Sequence, residues 1–466
     1  MLEILLIICV NLLFLWKTRN YYYVSDDLPV SARETPLPKN FFHGLWIQFK
    51  GHRYFHEEAD KPQKWDWYCN PKTAHVLTMS VHIINCILIY LAFGRNNVSL
   101  FASLLFAINP INMQGGSIWV SGKPYSSATT CALLMYALPW VAPLFYYFST
   151  TFSANAMLSP IPFLLTKNWW WGLMPFVLYG MLRKVIMKKW SLENTSNYEM
   201  TVVAPRKIIT FLKTYGYYLR LCIFPYHLGL YHPFVWGIGV NKYHNEKVYI
   251  LDKDFFIGLF LFLTSLLLVF FYRSTMLGFG MLWFMVNIAM WSNLVTIQQQ
   301  IAERYVYLAN VGAMLALSCV LIKVPFLMLI VLTYYATRFW TMREAYANDY
   351  WMIEYNVAEM KDSHYAWVAR GVKKFYLGDF NGALKDFGEA RQQCPYDFKQ
   401  NYNMAVMFLC LGDIKNAEEY LKYAEDTMYD GVTEHQKAEF IDHTRAMIEN
   451  AKKTSKVELK DVRIIK

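Results

Sequence analysis

Residues 283–312 read WFMVNIAMWSNLVTIQQQIAERYVYLANVG, two strongly apolar stretches enclosing one acid and one base, Glu303 and Arg304. Apolar runs of this length are material for membrane-crossing helices. Ionisable groups set between them are costly there and point to function; the structural alternative is an ion pair that only locks packing or closes a helix end. The rest of the chain shares this character. Of its 466 residues 55% are hydrophobic and 17% charged, where a soluble domain carries about 25% charged residues. The charge that exists gathers in loops such as 51–66 and beyond residue 345, so the composition divides the chain near that point.

Outward from this stretch, further apolar segments run over 74–94, 99–119, 124–150, 156–182, 209–228, 255–272, 275–296 and 308–339. Some are long enough for two helices, which gives an expected count of about ten or eleven crossings. Residues 2–16 read as an uncleaved first helix, since no basic stretch precedes them and no small-residue cleavage site follows. Pro139, Pro143, Pro160, Pro162 and Pro175 break the region 140–185 into short pieces. Such breaks are tolerated at membrane depth where backbone lines a cavity or packs on protein. Residues 17–73 form a polar, aromatic-rich loop that holds Asp26 and Asp27, and 183–208 form a second extramembrane loop. The two carboxylates are candidates for chemistry near the membrane surface, and a solvated turn before Pro29 is the plainer reading.

The net charge of +10 suits Lys and Arg at helix ends facing anionic lipid. Nucleic acid is not expected, because no basic patch carries a binding signature. The eight Cys lie mostly in apolar helices without CxxC spacing, which supports neither a zinc site nor a disulfide framework. Arg220, in YGYYLRLCIFPYHLGLYHPF, either snorkels to an interface or holds a phosphate. His227 and His232 read as hydrogen-bonding residues rather than metal ligands, with no carboxylate near them at ligand spacing.

The end of the chain has a different texture. LGDFNGA at 377–383 recurs as LGDIKNA at 411–417, a spacing of 34 residues, the period of the tetratricopeptide repeat. Trp367, Gly371, Ala383, Phe387, Ala390 and Pro395 fill the packing and breaking positions of the first copy, and Ala405, Ala417, Leu421 and Ala424 those of the second. Small residues stand where two helices cross and large ones fill the groove beside them. The expected domain spans 351–466, with repeats at about 364–397 and 398–431 and a capping helix at about 433–452.

Several stretches together resemble a known family, the membrane glycosyltransferases of the GT-C fold, in the protein O-mannosyltransferase-like branch that carries tetratricopeptide repeats (TMTC-like proteins and their bacterial relatives). YVSDDLP at 23–29 is similar to the family's first-loop aspartate motif. NPKTAHVLTMSVHIINCILIYLAFG resembles its second helix, with His82 and Asn85 in the polar positions. LFASLLFAINPINMQGGSIWVSGKPYS at 100–126 is similar to the family's HPxxxE–SGR block, YYLRLCIFPYHLGLYH resembles the segment that closes the large loop, and AERYVYL is the most specific match. The resemblance implies an all-α polytopic bundle over 1–345 with both loops extracytoplasmic, followed by the repeat domain on the same side. It implies transfer of a sugar from a polyprenyl-phosphate donor to an acceptor hydroxyl, with the repeats recruiting a protein acceptor or partner. Asp26 or Asp27 is then the general base. Arg304, Arg220 and Lys123 hold the donor phosphate, with Glu303, Tyr305 and His232 in support; no metal is implied. The location implied is a multi-pass protein of a bacterial cytoplasmic membrane, or else of the endoplasmic reticulum.

The chain also departs from that pattern. Asn109 stands for the family's His, Gly115 or Gly116 for its Glu, a residue around Tyr125 for its acid after SGR, and Ala154-Asn155 for its Lys-Glu pair. A different donor sugar is one consequence. The other is a relative that has lost catalysis and serves as a scaffold subunit of a larger membrane assembly, since fold does not decide function.

Overall fold

The computed structural model describes residues 1–24, 70–165, 204–232, 251–294, 301–395, 398–426, 434–454 and 462–465, with 42, 170, 174 and 177 standing singly between them. Among the described residues all regular structure is helical, as expected of an all-α protein. Capping chemistry sets several of the starts. After α1 (Leu2–Leu15), Asn70 accepts the Lys72 N–H at 2.9 Å and Pro71 takes the first helical position, opening α2 (Pro71–Ala92). Asn96 and Ser99 cap one another reciprocally at the head of α3 (Asn97–Ile108), which satisfies two of the otherwise orphaned donors. Then come α4 (Lys123–Ala137), α5 (Ala142–Phe152), α6 (Ala204–Ile223), α7 (Lys253–Phe271) capped by Asp252, α8 (Met276–Ala289), α9 (Tyr307–Leu321) and α10 (Pro325–Arg343).

The expected ten or eleven crossings need correction among the described residues. Three helical stretches are long and apolar enough to cross a membrane: Pro71–Ala92, Lys253–Phe271 and Glu303–Leu321. A fourth is counted only if Asn97–Ile108 and Pro110–Ser117, bent by 63°, are taken as one span. The reason is local. The run 124–150 divides at Leu138-Pro139, and 308–339 divides at Val324-Pro325. Proline clashes with the turn before it and pushes its predecessor out of helical geometry; Leu138 and Val324 sit at φ −132°, ψ 70° and φ −133°, ψ 77°. Apolarity alone does not reveal these breaks. Met276–Ala289 is apolar but short, as is the 14-residue α1.

A single buried core, from Ile7 to Met352, joins α1 to α10. One of its close crossings is that of α8 and α9, where Gly280 and Gly312 face each other so nearly that a Cβ on either would strike the other's carbonyl oxygen. Small residues at such points let apolar helices approach where no hydrophobic drive exists between them. On the outside, α7 leaves large apolar side chains bare, with Phe260 68% and Phe270 70% exposed.

The chain then continues through α11 (Asp349–Glu359), α12 (His364–Tyr376), α13 (Phe380–Gln393), α14 (Phe398–Cys410), α15 (Ile414–Asp426) and α16 (Glu434–Thr454). A second core, from Val368 to Ile465, holds α12 to α16 together. The recurring LGD string has one backbone solution in both places. Gly378 and Gly412 take φ of 80° and 78°, which glycine adopts without penalty. The following Asp379 and Asp413 then accept the N–H of Gly382 (2.8 Å) and Asn416 (3.1 Å) to start the next helix. Gly371 lies directly against the Phe387 ring, and the buried Asp386 takes Arg370 through two nitrogens (2.9 and 2.8 Å) and Lys374 at 2.9 Å.

Candidate functional site

After α3 the chain does not leave the protein. Asn109 accepts the Ile111 N–H, and residues 110–122 run as short irregular turns buried within the bundle. Gly115 and Gly116 permit this. A Cβ at 115 would enter the Tyr307 side chain, and Gly116 has φ 118°, which other residues rarely adopt. Irregular backbone in an apolar setting needs partners for its polar groups, and asparagines supply several. Asn109 Nδ2 donates to the Cys222 carbonyl (2.9 Å), Asn112 Nδ2 to that of Phe106 (2.7 Å), and Asn310 Nδ2 to Asn112 Oδ1 (3.0 Å).

Three separate stretches meet on this segment. Trp119 Nε1 donates to the Val24 carbonyl at 3.2 Å. His75 of α2 lies between the carbonyls of Ile118 and Tyr22, its two ring nitrogens 3.1 Å from each. Gln114 Oε1 accepts the Arg304 N–H at 2.8 Å. The Arg304 guanidinium lies 5.7 Å from the Trp119 ring centre and 5.0 Å from that of Tyr305, within cation–π range. Tyr305 itself is stacked on Trp291 at 4.1 Å. Lys123, buried, follows on the same segment as the first residue of α4. Asp26 and Asp27 lie outside the described residues, which end at Val24 on that side.

Comparison with protein-family models, curated proteins and solved structures returned no match.

A second cluster adjoins the first through Glu303. This buried carboxylate accepts the Gly229 N–H at 2.5 Å and pairs with His232 Nε2 at 2.9 Å. His232 Nδ1 is 2.9 Å from the Tyr217 hydroxyl, and the Arg220 guanidinium lies 5.9 Å from the Tyr217 ring centre. Glu303, His232 and Arg220 are therefore linked through Tyr217. Arg220 is ion-paired to Asp254 at 3.0 Å, which commits its charge to the α6–α7 contact. His227 stands apart, 60% exposed and 3.5 Å from Glu359.

His75, Gln114 and Trp119 were not singled out by the sequence reading, although they place the Tyr22–Val24 stretch and Arg304. A signal for one of them exists. His75, Thr78, His82 and Asn85 fall at helical spacing and are all buried, a polar stripe on one face of an apolar helix. His82 Nδ1 is 2.6 Å from the Tyr307 hydroxyl, and Asn85 donates to the Ser126 carbonyl at 2.9 Å. The stripe thus joins α2 to α4 and α9.

Proposed function

We propose that the chain is a membrane glycosyltransferase of the GT-C kind, taking a sugar from a polyprenyl-phosphate donor to an acceptor hydroxyl on the extracytoplasmic face. Residues 351–466 form its tetratricopeptide-type domain, which recruits a protein acceptor or partner. The observation that supports this best is the meeting of Tyr22–Val24, Trp119 and the Arg304 guanidinium. It brings the start of the loop that carries Asp26 and Asp27 to a fixed cation.

In the reaction the acceptor oxygen attacks the anomeric carbon while the bond from that carbon to the phosphate oxygen breaks. The hydroxyl proton passes to Asp26 or Asp27, a role suited to a carboxylate near the attacking oxygen. The departing electron pair stays on the phosphate, and preplaced cations hold the charge that develops. Arg304 suits that task through its planar fork, and Lys123 adds a point charge. Arg220, ion-paired to Asp254 at 3.0 Å, is the third cation assigned to the phosphate.

One observation favours the rival reading of a silent scaffold subunit: neither Gly115 nor Gly116, one of which stands where the resemblance calls for Glu, has room for a side chain, the first facing Tyr307 and the second Ser126. Transfer from a polyprenyl-phosphate sugar by purified chain in detergent separates the two. Asp26→Asn or Asp27→Asn is expected to lower transfer at least ~100-fold with donor binding retained. Full activity in the double variant removes the mechanism, and no transfer by the native chain with any donor leaves the scaffold. Arg304→Ala is expected to weaken donor binding, and Arg304→Lys to restore only part of it because the fork is lost. Unchanged donor binding per folded molecule would assign Arg304 to packing.

A further inference from the structure

Away from the site, α14 carries a polar grip of its own. Asn403 of α14, fully buried, holds residues of this same chain that touch both Tyr402 of α14 and Glu439 of α16 and so fill the groove between the two helices. Its Oδ1 accepts the Ile465 N–H at 2.9 Å and its Nδ2 donates to the Ile465 carbonyl at 2.8 Å. A carboxamide carries one acceptor and one donor side by side. It therefore matches both backbone groups of a single extended residue, as a neighbouring strand would. Beside it the Tyr402 hydroxyl donates to the Arg463 carbonyl at 3.1 Å and is held by Thr444 at 2.9 Å. The side chain of Ile465 is buried in the second core with Val462 and Ile464 packed against it. That of Arg463 points outward to Glu439 at 3.2 Å.

We propose that this groove is a binding site for extended peptide, and that residues 462–465 are its displaceable resident. Two features define the ligand class. The backbone is read by Asn403 and Tyr402, which gives affinity with little dependence on sequence, and apolar pockets select the side chains, the usual division in strand-like recognition. A suitable ligand is an extended segment with a branched apolar residue at the Asn403 position, another just before it, and a basic residue preceding these to face Glu439. The groove thus takes its occupant from the chain itself until a partner segment of the same chemistry replaces it. This extends the docking role given above to residues 351–466 and is independent of the sugar-transfer chemistry, so a failed transfer assay leaves it untouched.

The test uses the full chain in detergent, a version ending at Thr454, and a labelled peptide of residues 460–466 (KDVRIIK). The shortened chain is expected to bind the peptide at least tenfold more tightly than the intact chain, whose groove is filled. Asn403→Leu in the shortened chain is expected to lose at least tenfold, since both backbone bonds go. Equal binding by intact and shortened chains, or no binding by a shortened chain with native helical content, overturns the proposal. Should the shortened chain fail to fold, amide exchange at Ile465 in the intact chain decides. It is expected to quicken at least tenfold in Asn403→Leu, and an unchanged rate overturns the proposal.

Discussion

At the residue scale the AERYVYL string announced an acid and a base inside apolar surroundings, and the structure shows what the acid does. Glu303 is held by His232 and the Gly229 N–H, while its Oε2 has no hydrogen-bond partner among the described residues. A carboxylate so buried depends on its remaining donors, and removing one partner of such a pair costs more than removing both. His232→Leu is expected to lower stability by ~3 kcal/mol, and Glu303→Met/His232→Leu by clearly less, measured by unfolding in mixed micelles. A double variant as unstable as the sum of its singles would mean that the two residues act separately. The identity of the partner was hidden in the sequence, because 71 positions separate His232 from Glu303. What a sequence shows is that a buried charge needs a partner; which histidine arrives depends on the fold of 224–232. Gln114 was hidden more deeply, since one amide among the mixed polar, apolar and small residues of NPINMQGGS has no periodicity to betray it.

At the scale of elements, local chemistry was legible where one short string both ends a helix and begins the next. The two LGD strings did this, each supplying a left-handed glycine and a capping aspartate. Apolar length was a poorer guide, because a run such as 124–150 carries its break in one proline and keeps its hydropathy on both sides. The bare face of α7 carries the membrane reading at this scale. Phe260, Leu267 and Phe270 are exposed on a helix of 19 residues with a mean hydropathy of 2.4, and exposed apolar area of that extent on a soluble surface marks an interface or an aggregation hazard. If the covering is lipid, spin labels placed singly at 260, 267 and 270 in reconstituted vesicles are expected to be relaxed strongly by oxygen and weakly by a water-soluble nickel complex. Strong relaxation by the nickel complex at all three would exclude α7 from the bilayer.

At the scale of the whole molecule, the start of the chain and the link from α10 to α11 are tied to one end of the helical bundle. Asn356 of α11 accepts the Leu230 N–H at 2.7 Å, beside the Gly229 N–H that Glu303 accepts. Tyr22 donates its N–H to the Ala347 carbonyl at 2.9 Å, immediately before the Val24 contact with Trp119. Lys17 meets Glu344 at 2.7 Å. The link from α10 to α11 and residues 17–24, which precede Asp26 and Asp27 in the chain, thus share contacts, and the repeat-like region grows from that end of the bundle. If the bundle spans a bilayer, both therefore face the same compartment, which is the arrangement an enzyme with a protein acceptor requires. A single cysteine placed after residue 455, in a background otherwise free of cysteine, tests this in sealed vesicles of known orientation. It is expected to react with an impermeant maleimide from the same side as a cysteine placed at Ser31 in the first loop. Labelling from opposite sides would separate the repeats from the carboxylates by a membrane. Acceptor presentation by residues 351–466 would then be ruled out, and the scaffold reading would be the one left to account for the domain.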